Sequence, residues 1–128
     1  MTKSRSERYY DLCSRCPDLR NFLACYLYES WSVEHESVEA AILFAVSHYD
    51  RTENNLALKR VAHDLWAWRR TEACQLEFHR DAKAAFGIYV SHNSDDEFLN
   101  FMDWVYDRIL EAIRQSDIYW RPGKGPKP

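Results

Sequence analysis

Glycine and proline are almost missing from the body of this chain. Of 128 residues only three are Gly and four are Pro, and Pro122, Gly123, Gly125, Pro126 and Pro128 crowd the C-terminal end. Pro17 and Gly87 are left for everything else. A many-stranded sheet needs frequent turn residues, so this scarcity favours long helices. It also works against nucleotide chemistry, because there is no glycine-rich phosphate loop and no Gly-x-Ser-x-Gly elbow.

Long apolar runs are missing too. None approaches the roughly 20 residues of a membrane span, and no apolar stretch follows Met1-Thr2-Lys3-Ser4-Arg5-Ser6-Glu7-Arg8 to act as a signal core. The expectation is a cytoplasmic protein with no membrane contact, whose Cys13, Cys16, Cys25 and Cys74 are reduced thiols.

Core-forming residues, by contrast, are plentiful. Hydrophobic residues make up 46% and aromatics 15%, with five Trp and eight Tyr, which argues against a disordered body. The length fits one domain with a substantial core. Charge is unevenly placed. Residues 1–8 carry +2 and residues 121–128 carry +3, so within a net −3 the body from 9 to 120 holds −8. An acidic body repels phosphate, which argues against direct nucleic-acid binding and suits a basic protein partner.

Periodicity points to an all-α, single-domain bundle of about five helices over residues 16–120. Residues 1–15 form an extension, helical at most in part, and the basic tail 121–128 is expected to be disordered. Pro17 suits a first helical position, and Leu19, Phe22, Leu23, Tyr26 and Leu27 then repeat on one face up to Trp31. Ser32–Glu36 reads as a loop. Ser37 is placed to cap a second helix. In it Val38, Ala41, Ile42, Ala45, Val46 and Tyr49 share a face, and Leu43 and Phe44 widen the stripe enough to suggest burial on more than one side. A third helix is expected from about Thr52 to Arg70, with Leu58, Val61, Ala62, Leu65 and Trp66 inward. Residues 71–93 are less regular: Thr71 could cap a short helix with Leu76, Phe78, Ala82, Ala85 and Phe86 form a weak group, Gly87 suits a helix end, and Ile88-Tyr89-Val90 reads as extended. Ser94-Asp95-Asp96-Glu97 is a capping box. After it Phe98, Phe101, Met102, Val105, Ile109, Ala112 and Ile113 keep helical spacing for about five turns.

Candidate chemistry is thin. Cys13-Ser14-Arg15-Cys16 has the spacing of zinc and thiol-redox sites, but Cys25 and Cys74 are isolated and no second ligand pair exists. Buried or incidental thiols are the competing reading. His35, His48, His63, His79 and His92 form no HExxH, and His63 and Asp64 point about 100° apart on a helix. No catalytic residue, cofactor or metal is expected. Asp103, Asp107 and Glu111 fall at i, i+4 and i+8, with Asp96 and Asn100 upstream, as either a solvated face or an acidic docking strip. Glu34, Glu36 and Glu39 form a second acidic group, of which Glu39 could simply serve a helix start. Trp66, Trp104 and the Phe residues suit the core, whereas Trp68, Tyr28, Tyr106 and Tyr119 fall off the main stripes and could anchor an interface.

The run Pro17-Asp18-Leu19-Arg20-Asn21-Phe22-Leu23-Ala24-Cys25-Tyr26, followed by Trp31, resembles the opening of the helical CdiI-type immunity proteins of bacterial contact-dependent growth inhibition. Ser30 stands where that family commonly has an acidic residue before the Trp. The likeness continues through an acidic, Ala-rich second helix, the turn at Gly87-Ile88-Tyr89 and a polar loop before the helix bearing Trp104, spanning roughly residues 17–113. The resemblance implies an antidote that covers the active site of a CdiA-type toxin domain in a one-to-one complex. The toxin would be a nuclease, with RNase favoured, and Leu19, Phe22, Tyr26 and Trp31 would be core. Contact residues would come from Asp103, Asp107, Glu111, Tyr106, Glu34 and Glu36. A helical adaptor or regulator, which could be homodimeric through exposed aromatics, is the alternative, and a metal or thiol enzyme using Cys13 and Cys16 is a third.

Overall fold

The computed structural model describes residues 16–28, 30–49, 55–70, 86, 88 and 94–123. Within them the chain is helical, without strands: α1 Pro17–Tyr26, α2 Trp31–Glu34, α3 Val38–Tyr49, α4 Leu56–Arg69 and α5 Asp95–Arg114. The all-α expectation holds. The extension 1–15, the segment 71–85 with its proposed Thr71 cap, Cys13, Cys74, His79, His92 and residues 124–128 lie outside the described residues.

Helix α1 begins at Pro17 and buries Leu19, Phe22 and Leu23. Leu27 is buried just beyond its end, where its amide donates to the Leu23 carbonyl. The segment expected as a loop instead contains α2, one helical turn closed by the His35 amide on the Trp31 carbonyl at 3.0 Å. Ser32–Glu36 has no apolar period of its own; Trp31, packed against the core, anchors the turn. In α3 the cap is the expected one, with Ser37 Oγ accepting from the Ala40 amide at 3.0 Å. Ala41, Ile42, Ala45 and Val46 are buried.

Helix α4 lies between α1 and α5, and α3 packs on the same two helices. It starts at Leu56, after Asn55 in the left-handed region at φ 55, a conformation that Asn tolerates better than most residues. Residues 51–54 of the expected helix lie outside the described ones. Leu58, Val61, Ala62 and Leu65 point inward as expected, but the two tryptophans exchange roles. Trp68 is 1% exposed and Trp66 only half-buried. Geometry explains the exchange: relative to Leu65, Trp66 is about 100° round the helix, while Trp68 is about 60° away on the Val61 side. Trp68 meets Phe86 and Phe98 edge-on at 5.5 and 6.2 Å between centroids.

Helix α5 opens with Ser94 in extended conformation, its hydroxyl accepting from the Glu97 amide. Phe98, Met102, Val105, Ile109 and Ile113 are buried along it, while Phe101 and Ala112 are half-buried at the edge of the stripe. Past α5 the chain turns back on α4. Asn55 Nδ2 donates to Ser116 Oγ at 2.6 Å, and Lys59 pairs with Asp117 at 3.0 Å. Gly123, at φ +77, sits against the Trp66 ring so closely that a Cβ there would lie 2.8 Å from it. Residues 121–123, the first part of the basic tail, thus lie against α4.

Candidate functional site

The acidic row of α5 is on the outside. Asp96, Asn100, Asp103, Asp107 and Glu111 are all exposed, opposite the buried stripe. The row is not a bare line of charge. Arg69, from the end of α4, holds Asp103 with both Nε (3.0 Å to Oδ1) and Nη2 (3.3 Å to Oδ2). Arg108 pairs with Glu111 at 3.3 Å across one turn, its guanidinium 5.6 Å from the centre of the Trp104 ring. Such surface pairs contribute about 0–1 kcal/mol each and exchange readily. Asp107, Leu110, Glu111, Arg114 and Gln115 line a shallow concavity of about 400 Å³.

The tyrosines expected as anchors divide. Tyr106 is half-buried and packs against the core; burial raises its hydroxyl pKa, partly offset by Arg114 and Arg70. Only part of its side chain is therefore open to a partner. Tyr28 donates its hydroxyl to Glu34, the first cause of its raised pKa. Tyr119 is 90% exposed. Trp104, expected in the core, is half-buried and packs on its edge, whereas Trp68 is excluded as an outward anchor by its burial.

The burial on more than one side expected of α3 is not found. Leu43 and Phe44 of α3 are 52% and 45% exposed, so the helix is not covered on the side they occupy. Phe44 is nevertheless held in place. Its ring lies 4.3 Å from the His48 ring, 5.1 Å from His35 and 6.1 Å from Tyr26. The contact with His35 places Phe44 beside the chain between α2 and α3, where Glu34 and Glu36 are exposed. Glu39, also exposed, precedes Leu43 by one helical turn. Next to this face, a groove of about 370 Å³ is lined by Asp18, Asn21, Tyr26, His48, Tyr49, Ala57 and Arg60. The extra width of the α3 stripe was the available signal.

The contact between α1 and α4 also holds an unforeseen polar group, the half-buried Asp64. Asp64 Oδ2 accepts the amides of Asp18 and Leu19 at 2.9 and 3.1 Å and so caps α1 from another helix. Burial raises its pKa, with the two amide bonds opposing that effect. Cys16, at the start of α1, is 3% exposed and its thiol donates to the Asp64 carbonyl at 3.7 Å. Its place is that of a buried thiol, whereas Cys25 is exposed. Among the described residues no three of His, Cys, Asp and Glu converge as metal ligands, and no helix is long and apolar enough to cross a membrane. Comparison with protein-family models, with curated proteins and with solved structures returned no match.

Proposed function

We propose that this chain is an immunity protein that binds the C-terminal toxin domain of a CdiA-type growth-inhibition effector and covers its active site. The toxin is a nuclease, with RNase favoured, and the complex is one-to-one. The observation that carries this reading is the exposed carboxylate surface, formed by Asp96, Asp103, Asp107 and Glu111 on α5 and by Glu34, Glu36 and Glu39 around α2 and α3. A nuclease cleft must be basic to hold phosphate, and an acidic protein competes for that cleft by the same electrostatics. The internal partners Arg69 and Arg108 keep Asp103 and Glu111 oriented in the unbound protein at little cost when a toxin cation takes their place.

The test is co-expression with the C-terminal domain of a CdiA-type protein, should one be encoded immediately upstream of this chain. Cells expressing that domain alone should stop growing, and this chain should restore growth. Unrelieved arrest with both proteins soluble counts against the proposal.

The alternative, a homodimeric adaptor, draws on one observation: Leu43 and Phe44 are exposed apolar side chains of the kind subunit interfaces bury. Sedimentation of the isolated protein separates the two, since a dimer stable to dilution favours the adaptor.

A further inference from the structure

We infer that the Leu43–Phe44 face of α3 is the apolar anchor of the toxin contact, while the acidic row of α5 acts at a distance by attracting the basic partner. The inference rests on the immunity reading. Stable interfaces have an apolar, often aromatic, centre within a polar rim, and a few central residues carry most of the binding energy. The α5 row has charges but no exposed large apolar centre, and two of its carboxylates already have arginine partners. The α3 face has both parts. Leu43 and Phe44 are exposed, and Glu34, Glu36 and Glu39 are exposed around them. Ring contacts from His35 and His48 hold Phe44, so little side-chain freedom remains to be lost on docking.

The rim also decides the occupant. A second copy would dock through the same patch on both subunits, as a two-fold contact requires. That arrangement brings the three glutamates of one copy towards those of the other, and like charges oppose it. A basic surface carrying an apolar knob meets the same rim with attraction.

The experiment measures binding of the purified full chain to the proposed partner, the C-terminal domain of a CdiA-type protein. Leu43→Glu and Phe44→Ala should each weaken affinity at least about 30-fold, the size of a hot-spot truncation. Phe44 also packs on Tyr26, so its variant can disturb the fold; Leu43→Glu, with helical content and thermal midpoint checked, carries the decision. Reversing Glu34, Glu36 and Glu39 to Lys should weaken binding and flatten its salt dependence. Wild-type affinity in folded Leu43→Glu overturns the inference and leaves the immunity reading standing. No binding by the unmodified chain overturns both. A dilution-stable dimer that Leu43→Glu dissolves assigns the face to a second copy and likewise overturns the inference.

Discussion

Asp64, inside α4, accepts the backbone amides of Asp18 and Leu19, 46 and 45 positions earlier in the chain, and so caps α1. The residue at the start of α1, Cys16, offers no side-chain cap, and Pro17 brings no amide of its own. One carboxylate oxygen therefore satisfies two orphan donors and joins α1 to α4. Asp64→Ala should lower stability by about 1–2 kcal/mol, the scale of a lost cap with an unsatisfied amide. Asp64→Asn, which keeps an acceptor, should lose less. Urea unfolding of the three proteins checks the order, and equal losses would mean that the cap has no role beyond packing.

The same residue gives a pH dependence with a definite sign. Burial raises the Asp64 pKa from its ordinary carboxylate value, against the opposing pull of the two amide bonds. Between its unfolded and folded pKa values the folded state therefore binds more protons, and stability falls as pH rises through that window. Asn has no such titration. The stability of the wild type relative to Asp64→Asn should decline from acid pH up through the raised value and then level off. A rising difference would contradict the burial argument.

Trp68 and Trp66 should respond very differently to truncation. Trp68→Ala removes a ring buried against Phe86 and Phe98 and should cost about 3–5 kcal/mol. Trp66 is half-buried, between the Arg70 guanidinium 4.4 Å from its ring centre and Gly123, so its loss should cost clearly less. Thermal melts of the two variants test this, and similar midpoints would count against the rotation of α4 given above.

The C-terminal turn should depend on Gly123. An added methyl group meets the Trp66 ring at 2.8 Å on a backbone with positive φ, so Gly123→Ala should dislodge the segment and cost about 1 kcal/mol. Acrylamide quenching of tryptophan emission should rise in this variant, and the rise should vanish in a Trp66→Phe background. No change in quenching would place Gly123 away from the ring in solution.

Charge on α5 should act on the rate of encounter. Asp103→Lys, Asp107→Lys and Glu111→Lys together should slow association with the proposed toxin domain and reduce its sensitivity to salt, with dissociation much less affected. An unchanged association rate would remove the row from the account.

What the sequence disclosed was local. The caps at Ser37 and Ser94 and the inward positions Leu19, Phe22, Leu58, Val61, Phe98 and Met102 depend only on spacing along one helix. The missed features depend on what lies across from a helix. Nothing near Asp64 in sequence shows that α1 needs its oxygen. The choice between Trp66 and Trp68 turned on the rotation of α4 against α1 and α5. Stripe width at Leu43 and Phe44 reported apolar surface correctly, but width alone does not say whether the chain itself or another molecule covers it. The acidic row was legible as a row, while its arginine partner on α4 was not.

The most direct test of the central claim is inhibition in solution. The proposed partner, the C-terminal domain of a CdiA-type protein, should cleave nucleic acid when alone, and stepwise addition of this chain should abolish cleavage at one equivalent, with affinity of nanomolar or better, about −12 kcal/mol. Cleavage that continues undiminished in the presence of excess folded chain would contradict the account.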